Sequence, residues 1–265
     1  MAARSGGTNK TGGAGGWPAR RLLPWALPCV LIIVWQICAQ RGWINPRILP
    51  SPVNVFKAFW RLLTNGELLA NLKVSCARAG TGFLIGGSLG LVLGLGTATW
   101  RLLETVLDTT LQMIRTIPNL ALLPLVIIWF GIGEKAKIFL IVCGVTFPIY
   151  LNTFHGIRSV DPNLITMARV YGLGRLRLWL DVILPGALPS ILVGVRFSLG
   201  VMWMTLIVAE TIAASSGLGY MATNAREMMQ TDVIVLTILL YALLGKLADV
   251  VARALERRFL SWRAA

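Results

Sequence analysis

The chain has 265 residues, 56% of them hydrophobic and only 14% charged, with a mean hydropathy of +0.72. Soluble domains carry about 25% charged residues, so a soluble enzyme, a disordered chain and a secreted disulfide scaffold are poor readings; an integral membrane protein is indicated. The net charge of +14 does not point to nucleic acid, because no dense basic stripe interleaves with aromatics and many basic residues flank apolar runs, where anionic headgroups would meet them.

Residues 1–20 read as a disordered cytoplasmic tail, with six glycines between Gly6 and Gly16 and almost no apolar residues. Arg20 and Arg21 then precede an uncharged run, 22–40. It is long for a signal sequence, lacks an A-x-A cleavage site and is followed by further apolar runs, so it reads as a first membrane helix. Similar windows follow at 79–100, 116–133, 138–154, 187–213 and 233–252. Arg196 and Glu210 are the only charges in the fifth, and Lys246 and Asp249 the only ones in the sixth. Each window can cross roughly 30 Å of hydrocarbon at about 1.5 Å per residue. The expected fold is all-α, with six membrane spans in a permease domain over 21–265.

With both termini inside, the inner segments carry 14 Lys and Arg against 9 outside, which favours cytoplasmic termini. The discordant outer segment is 41–78, with six basic residues. Its Leu49-Pro50-Ser51-Pro52 turn precedes Val55, Phe56, Phe59, Trp60, Leu62 and Leu63 at helical spacing, as in an amphipathic helix on the outer membrane surface. Trp43, Trp60, Trp100 and Trp262 lie at or beyond the ends of the runs, as interfacial anchors do.

The second span carries Gly82, Gly86, Gly90 and Gly94, one glycine every four residues. Such a row clears one helix face for close approach by another helix. Pro118, Pro124 and Pro148 fall in or beside the third and fourth spans and either kink a pathway or only shape the bundle. Arg196 and Glu210 lie on nearly one stripe of the fifth span, about 21 Å apart along its axis. They cannot pair with each other. Arg196 has two readings, attraction of an anion in the pathway or snorkelling to the interface; Glu210 would repel an anion and reads as a cap or ion-pair partner at the outer end.

Several chemistries lack their residues. Cys29, Cys38, Cys76 and Cys143 have no C-x-x-C spacing and read as small buried hydrophobes. His155 is the single histidine, so a His-rich metal site cannot be built within one chain. No Ser/His/Asp set for hydrolysis is evident, so no catalytic or metal residues are assigned and an enzyme is not expected. There is no G-x-x-x-x-G-K-[ST], and Gly245-Lys246 is followed by Leu247. No span holds the acidic ladder of a proton-driven carrier. If the chain moves solute, the energy comes from a partner.

The most informative segment is the cytoplasmic loop 155–186. Asp161-Pro162 is a helix start, and Gly172 and Gly174 are stop signals. The helix between them sets Leu164, Ala168 and Tyr171 on one face. A second amphipathic stretch, 175–181, leads into Leu184-Pro185. Two short helices and a glycine turn make either a knob that docks in a groove of a soluble partner or an interfacial loop with no partner.

This loop resembles the signature of the binding-protein-dependent ABC importer permeases, E-A-A-x3-G-x9-I-x-L-P. Thr166, Met167 and Ala168 stand in the E-A-A positions, Gly172 takes the glycine, Val182 the isoleucine, and Leu184 and Pro185 the final pair. Glu is replaced by Thr and the first Ala by Met. The resemblance extends from about residue 24 to residue 263. It is carried by RILPSP (47–52), LALLPLVIIWFGI (120–132), FPIYLNTFHGIR (147–158), VILPGALPSILVGVRF (182–197), TLIVAETI (205–212), NAREMMQTDV (224–233) and LLYALLGKLADV (239–250). It lies within the nitrate/sulfonate/taurine group and is strongest toward the aliphatic sulfonate permeases. It implies a type I ABC importer permease, multi-pass in the cell inner membrane and working as a homodimer. Two copies of a separate ATP-binding subunit, which holds ATP and magnesium, would dock on the coupling loop, and a periplasmic substrate-binding protein would dock on the other side. No cofactor is implied in this chain. Nitrate, cyanate or taurine import, an ion-coupled carrier and a membrane scaffold are the alternatives.

Overall fold

A computed structural model describes residues 17–260 and 262. The tail expected over 1–20 lies, for residues 1–16, outside the described residues; residues 17–20 open the first helix. The helices are α1 (Trp17–Gln40), α2 (Pro52–Thr64), α3 (Glu67–Thr99), α4 (Arg101–Thr116), α5 (Leu123–Phe130), α6 (Glu134–Arg158), α7 (Pro162–Val170), the single turn α8 (Arg175–Arg177), α9 (Leu184–Ala213), α10 (Leu218–Glu227) and α11 (Thr231–Phe259). A 3-10 turn (Asn119–Leu122) precedes α5, and a π-helical stretch (Leu178–Ile183) joins α8 to α9. Among the described residues there is no strand.

Four helices are long and apolar enough to span a membrane: α3, α6, the run Arg175–Ile212 containing α9, and α11. They correspond to the second, fourth, fifth and sixth expected spans. The third expected span, 116–133, is not one straight helix. It contributes the end of α4, the 3-10 turn and α5, and the two arms are bent by 84°. The cause is local. Pro118 pushes the residue before it out of the helical region, and Ile117 has ψ 121°. Of the first span, the apolar part is Ala26–Gln40.

The three central helices pack through glycine. α3 and α6 run in the same direction. A Cβ at Gly82 would lie 2.5 Å from Ile141, at Gly86 2.8 Å from the Val142 carbonyl, at Gly90 2.5 Å from the Thr146 carbonyl and at Gly94 2.6 Å from Thr153. The glycine row thus meets α6 of the same chain, and Thr146 Oγ1 donates across the contact to the Gly86 carbonyl at 3.1 Å. α9 runs antiparallel to α6, with Gly144 against Thr205 and Gly156 against Ser190. Around this layer Ile141, Val145, Leu206 and Leu236 form one core with Val55, Ala58 and Leu62 of α2.

α2 departs from the expected surface helix. Ser51 caps it at 3.3 Å from the Asn54 amide, with Pro52 in its first turn, and one face is buried in the bundle while Phe56 and Trp60 point outward. Its amphipathicity serves a core contact as well as an exposed aromatic face. α3 begins at Glu67, so Lys73 and Arg78 of the discordant segment belong to a long helix rather than a surface loop.

Candidate functional site

The bundle has two ends, one bearing α7 and the other α10. At the first, Asp161 Oδ1 accepts from the Asn163 amide at 2.8 Å, and Pro162 opens α7. The helix stops in a Schellman turn. Leu173 N–H donates to the Ala168 carbonyl at 3.1 Å and Gly172 N–H to that of Arg169 at 2.9 Å, which requires left-handed backbone at Gly172 (φ 78°). Gly174 is not part of the stop; it caps α8 in extended geometry.

The face expected from Leu164, Ala168 and Tyr171 is divided. Ala168 is buried with Ile165 against Leu178 and Ile183, whereas Leu164 and Tyr171 are exposed. Tyr171 sits at the cap, beyond the helical step that would align it. The exposed ridge is Leu164, Met167, Val170 and Tyr171, the last two 81% and 77% accessible. Thr166, at the signature's Glu position, is exposed and turns its hydroxyl back to the Pro162 carbonyl at 2.9 Å. Val182, Leu184 and Pro185 are half-buried where the loop enters α9. Pro185 cannot donate to the carbonyl four residues before it, and the backbone widens just ahead of it, Leu184 N–H donating to the Trp179 carbonyl. α7 therefore rests on a helical run that continues without a break into the fifth span.

At the other end, Glu210 is fully buried and Arg78 nearly so, and they pair at 2.6 Å. Arg78 also forms two 2.5 Å bonds to Glu134 through Nε and Nη2 and donates to the Ser216 carbonyl and hydroxyl. Glu210 accepts from Ser75 Oγ, Tyr241 Oη and the Gly219 amide. Buried Lys137 completes the set at 3.1 Å from Glu134. Two cations and two carboxylates thus join α3, α6, α9, α11 and the turn entering α10. Each charge in the cluster faces an opposite charge and dipolar partners, the arrangement that offsets the cost of burying it. The carboxylate of Glu210 was legible as an acid needing a counter-charge; Arg78, Glu134, Ser75 and Tyr241 were not singled out. Arg78 borders the uncharged window that begins at residue 79, and that adjacency was the available signal.

Arg196, also on α9, takes a different partner. Its Nε donates to Asp249 on α11 at 2.8 Å. Lys246 Nζ lies 3.7 Å from the same carboxylate, and Arg253 also donates to it. The structure thus separates Arg196 and Glu210 into two clusters, as their spacing along one helix requires. Beside Arg196 a groove of about 560 Å³ opens between α9 and α11, lined by Val193, Phe197, Val201 and Met204 among others.

Comparison with known proteins agrees with this architecture. The chain is 60% identical over 245 residues, covering 92% of itself and 93% of the relative, to the "Putative aliphatic sulfonates transport permease protein SsuC" of Escherichia coli strain K12. It is 44% identical to the protein of that name from Bacillus subtilis strain 168, over 93% of itself and 91% of the relative. The "Taurine transport system permease protein TauC" of E. coli is 36% identical, with 93% and 92% covered. A solved amino acid ABC transporter superposes with a TM-score of 0.64 at 19% identity, over 76% of this chain and 97% of that one, and shares the fold. The family model described as binding-protein-dependent transport system inner membrane component matches residues 86–261. The chain belongs to that family, the inner-membrane permease subunits of ABC importers.

Proposed function

We propose that this permease carries aliphatic sulfonates across the inner membrane as a homodimer. Two separate ATP-binding subunits, which hold ATP and magnesium, sit against the α7 end, and a substrate-binding protein docks at the α10 end. The chain itself catalyses no covalent step. The observation that carries the substrate is the 60% identity, over nearly the whole of both chains, to a relative named for aliphatic sulfonates. Taurine, named for a relative at 36%, is the second reading.

The mechanical part follows from the loop. A capped helix with an exposed Leu164, Met167, Val170 and Tyr171 ridge is a knob for a hydrophobic groove on a soluble subunit. Its other face, Ile165 and Ala168, packs on the residues that open the fifth span. Movement of the ATP-binding subunits would therefore pass through α7 to α9, which bears both Arg196 and Glu210. A packed, closely satisfied element moves as a unit rather than deforming gradually.

The test is growth on hexanesulfonate, taurine or sulfate as sole sulfur source, with and without the gene, coupled to vanadate-sensitive uptake in cells. Loss of growth on the alkanesulfonate alone is expected. Growth unaffected by deletion, or uptake insensitive to vanadate but abolished by an uncoupler, would overturn the reading in favour of another substrate or an ion-coupled carrier.

A further inference from the structure

We infer that the groove between α9 and α11 is a binding site within the permease for the transported anion, its sulfonate at Arg196 and its alkyl tail along α9 toward Met204. This rests on the sulfonate reading above and adds where, in this chain, such a substrate is held.

Three observations meet at the groove. The first is charge. Arg196, Lys246 and Arg253 all converge on Asp249, so three cations share one carboxylate, and the cluster has an excess of positive charge. Among the described residues, Arg196 engages only its Nε, leaving Nη1 and Nη2 without a protein acceptor. A guanidinium with that edge free can take two oxygens of a tetrahedral oxyanion side by side. The second is depth. Arg196 is the thirteenth of the thirty residues of α9, near the middle of the helix. An ionisable group at such a depth needs a partner or a water-filled cavity and marks a solute path. Snorkelling would carry the side chain along the helix toward a membrane face, whereas Arg196 reaches sideways to a neighbouring helix. The third is shape. Beyond the cationic end the groove is apolar, bounded by Phe197, Val201 and Met204. Arg196 to Met204 is about 12 Å along the helix, room for a chain of several carbons. One end binds a tetrahedral oxyanion and the rest suits a short hydrocarbon.

An anionic phospholipid offers the same chemistry, a charged head and an apolar chain, and a second copy of the protein could cover the same face. Gly200 separates the cases. It lines the groove, and a Cβ there would meet nothing within 4 Å, so Gly200→Leu places a side chain in the cavity without disturbing the helix contacts.

The experiment uses the full transporter, reconstituted in proteoliposomes with its ATP-binding subunit and binding protein. Uptake of methanesulfonate and hexanesulfonate is measured for the wild type, Arg196→Gln, Arg196→Lys and Gly200→Leu, in neutral lipid and with added phosphatidylglycerol. Arg196→Gln should lower uptake of both sulfonates at least about tenfold, the effect of one lost charge-assisted contact, with Arg196→Lys recovering part of it. Gly200→Leu should depress hexanesulfonate uptake several-fold more than methanesulfonate uptake, a chain-length dependence that a purely structural defect does not produce. Normal uptake by Arg196→Gln, or equal loss of both sulfonates in Gly200→Leu, would overturn the site. So would a defect that appears only with phosphatidylglycerol, which would make it a lipid site, or dissociation of the Gly200→Leu permease on size-exclusion chromatography, which would make it a subunit contact. A wild-type transporter that imports neither sulfonate removes the substrate reading itself, and this site with it.

Discussion

Glu210 exposes none of its side chain and rests its charge on Arg78, whereas Arg78 divides its donors between Glu210 and Glu134. The two substitutions that break the pair are therefore not equivalent. Arg78→Met leaves a buried carboxylate without a counter-charge and should cost about 3–5 kcal/mol of stability, the range for breaking a buried ion pair. Glu210→Gln leaves Arg78 held by Glu134 and Ser216 but turns one acceptor oxygen into an NH2 that faces either Arg78 Nη1 or the Gly219 amide, and should cost about 1–3 kcal/mol. Tyr241→Phe removes one donor 3.1 Å from Glu210 and should cost about 1 kcal/mol. Denaturant unfolding of the detergent-purified permease measures the order; Glu210→Gln more damaging than Arg78→Met would contradict it. At this scale the sequence was half legible. An acid inside an apolar run announces that it needs a partner, but Arg78 lies 132 residues away, and no periodicity links positions so far apart.

Helical elements were legible where one residue type repeats with the helix period. The row Gly82, Gly86, Gly90 and Gly94 was visible as a cleared face; which helix fills it was not, because α6 reaches it only after the intervening α4 and α5 have turned back. At Gly86 and Gly90 the nearest atoms are backbone carbonyls, which cannot rotate aside as a side chain would. Leucine at either position should separate α3 from α6 at a cost of about 1–3 kcal/mol or more, read as a lower unfolding midpoint and reduced uptake. Wild-type values for both variants would exclude the contact. Gly172 is a different case. Nothing lies within 4 Å of its Cβ position, so a leucine there meets no clash; the cost arises from left-handed backbone, about 1–2 kcal/mol for a residue with a side chain. Gly172→Leu should therefore loosen the end of α7 without unfolding the bundle. In the assembled transporter it should lower uptake and substrate-stimulated ATPase activity together, while Gly172→Asn, which tolerates that backbone, should retain both. Equal activity of the Leu variant and the wild type would remove the turn from coupling. Within 116–133 the bend was not legible for the converse reason: the apolar content is continuous, and hydropathy does not register the Ile117-Pro118 bond at which the chain turns.

For the whole molecule, orientation is the property that charge alone left close. Of the nine Lys and Arg assigned outside, Arg78 and Lys137 are buried in ion pairs with Glu134 and Glu210. A cation neutralised inside the bundle does not report on which side of the membrane its segment lies, since the positive-inside bias reflects free charges in the loops. Setting those two aside leaves seven outside against fourteen inside, and the bias for cytoplasmic termini becomes clear. On that bias the α7 end is expected in the cytoplasm and the α10 end, where Met228 and Met229 stand exposed, on the opposite side. Single cysteines can read this directly. In a variant with Cys29, Cys38, Cys76 and Cys143 replaced by serine or alanine, Met229→Cys should react with a membrane-impermeant maleimide in spheroplasts, and Leu164→Cys only after permeabilisation. Both side chains are exposed and outside the long apolar helices, so their labelling reports side rather than burial. The reverse pattern would invert the molecule, move the α7 ridge away from any cytoplasmic ATP-binding subunit and remove the route by which that subunit would drive α9.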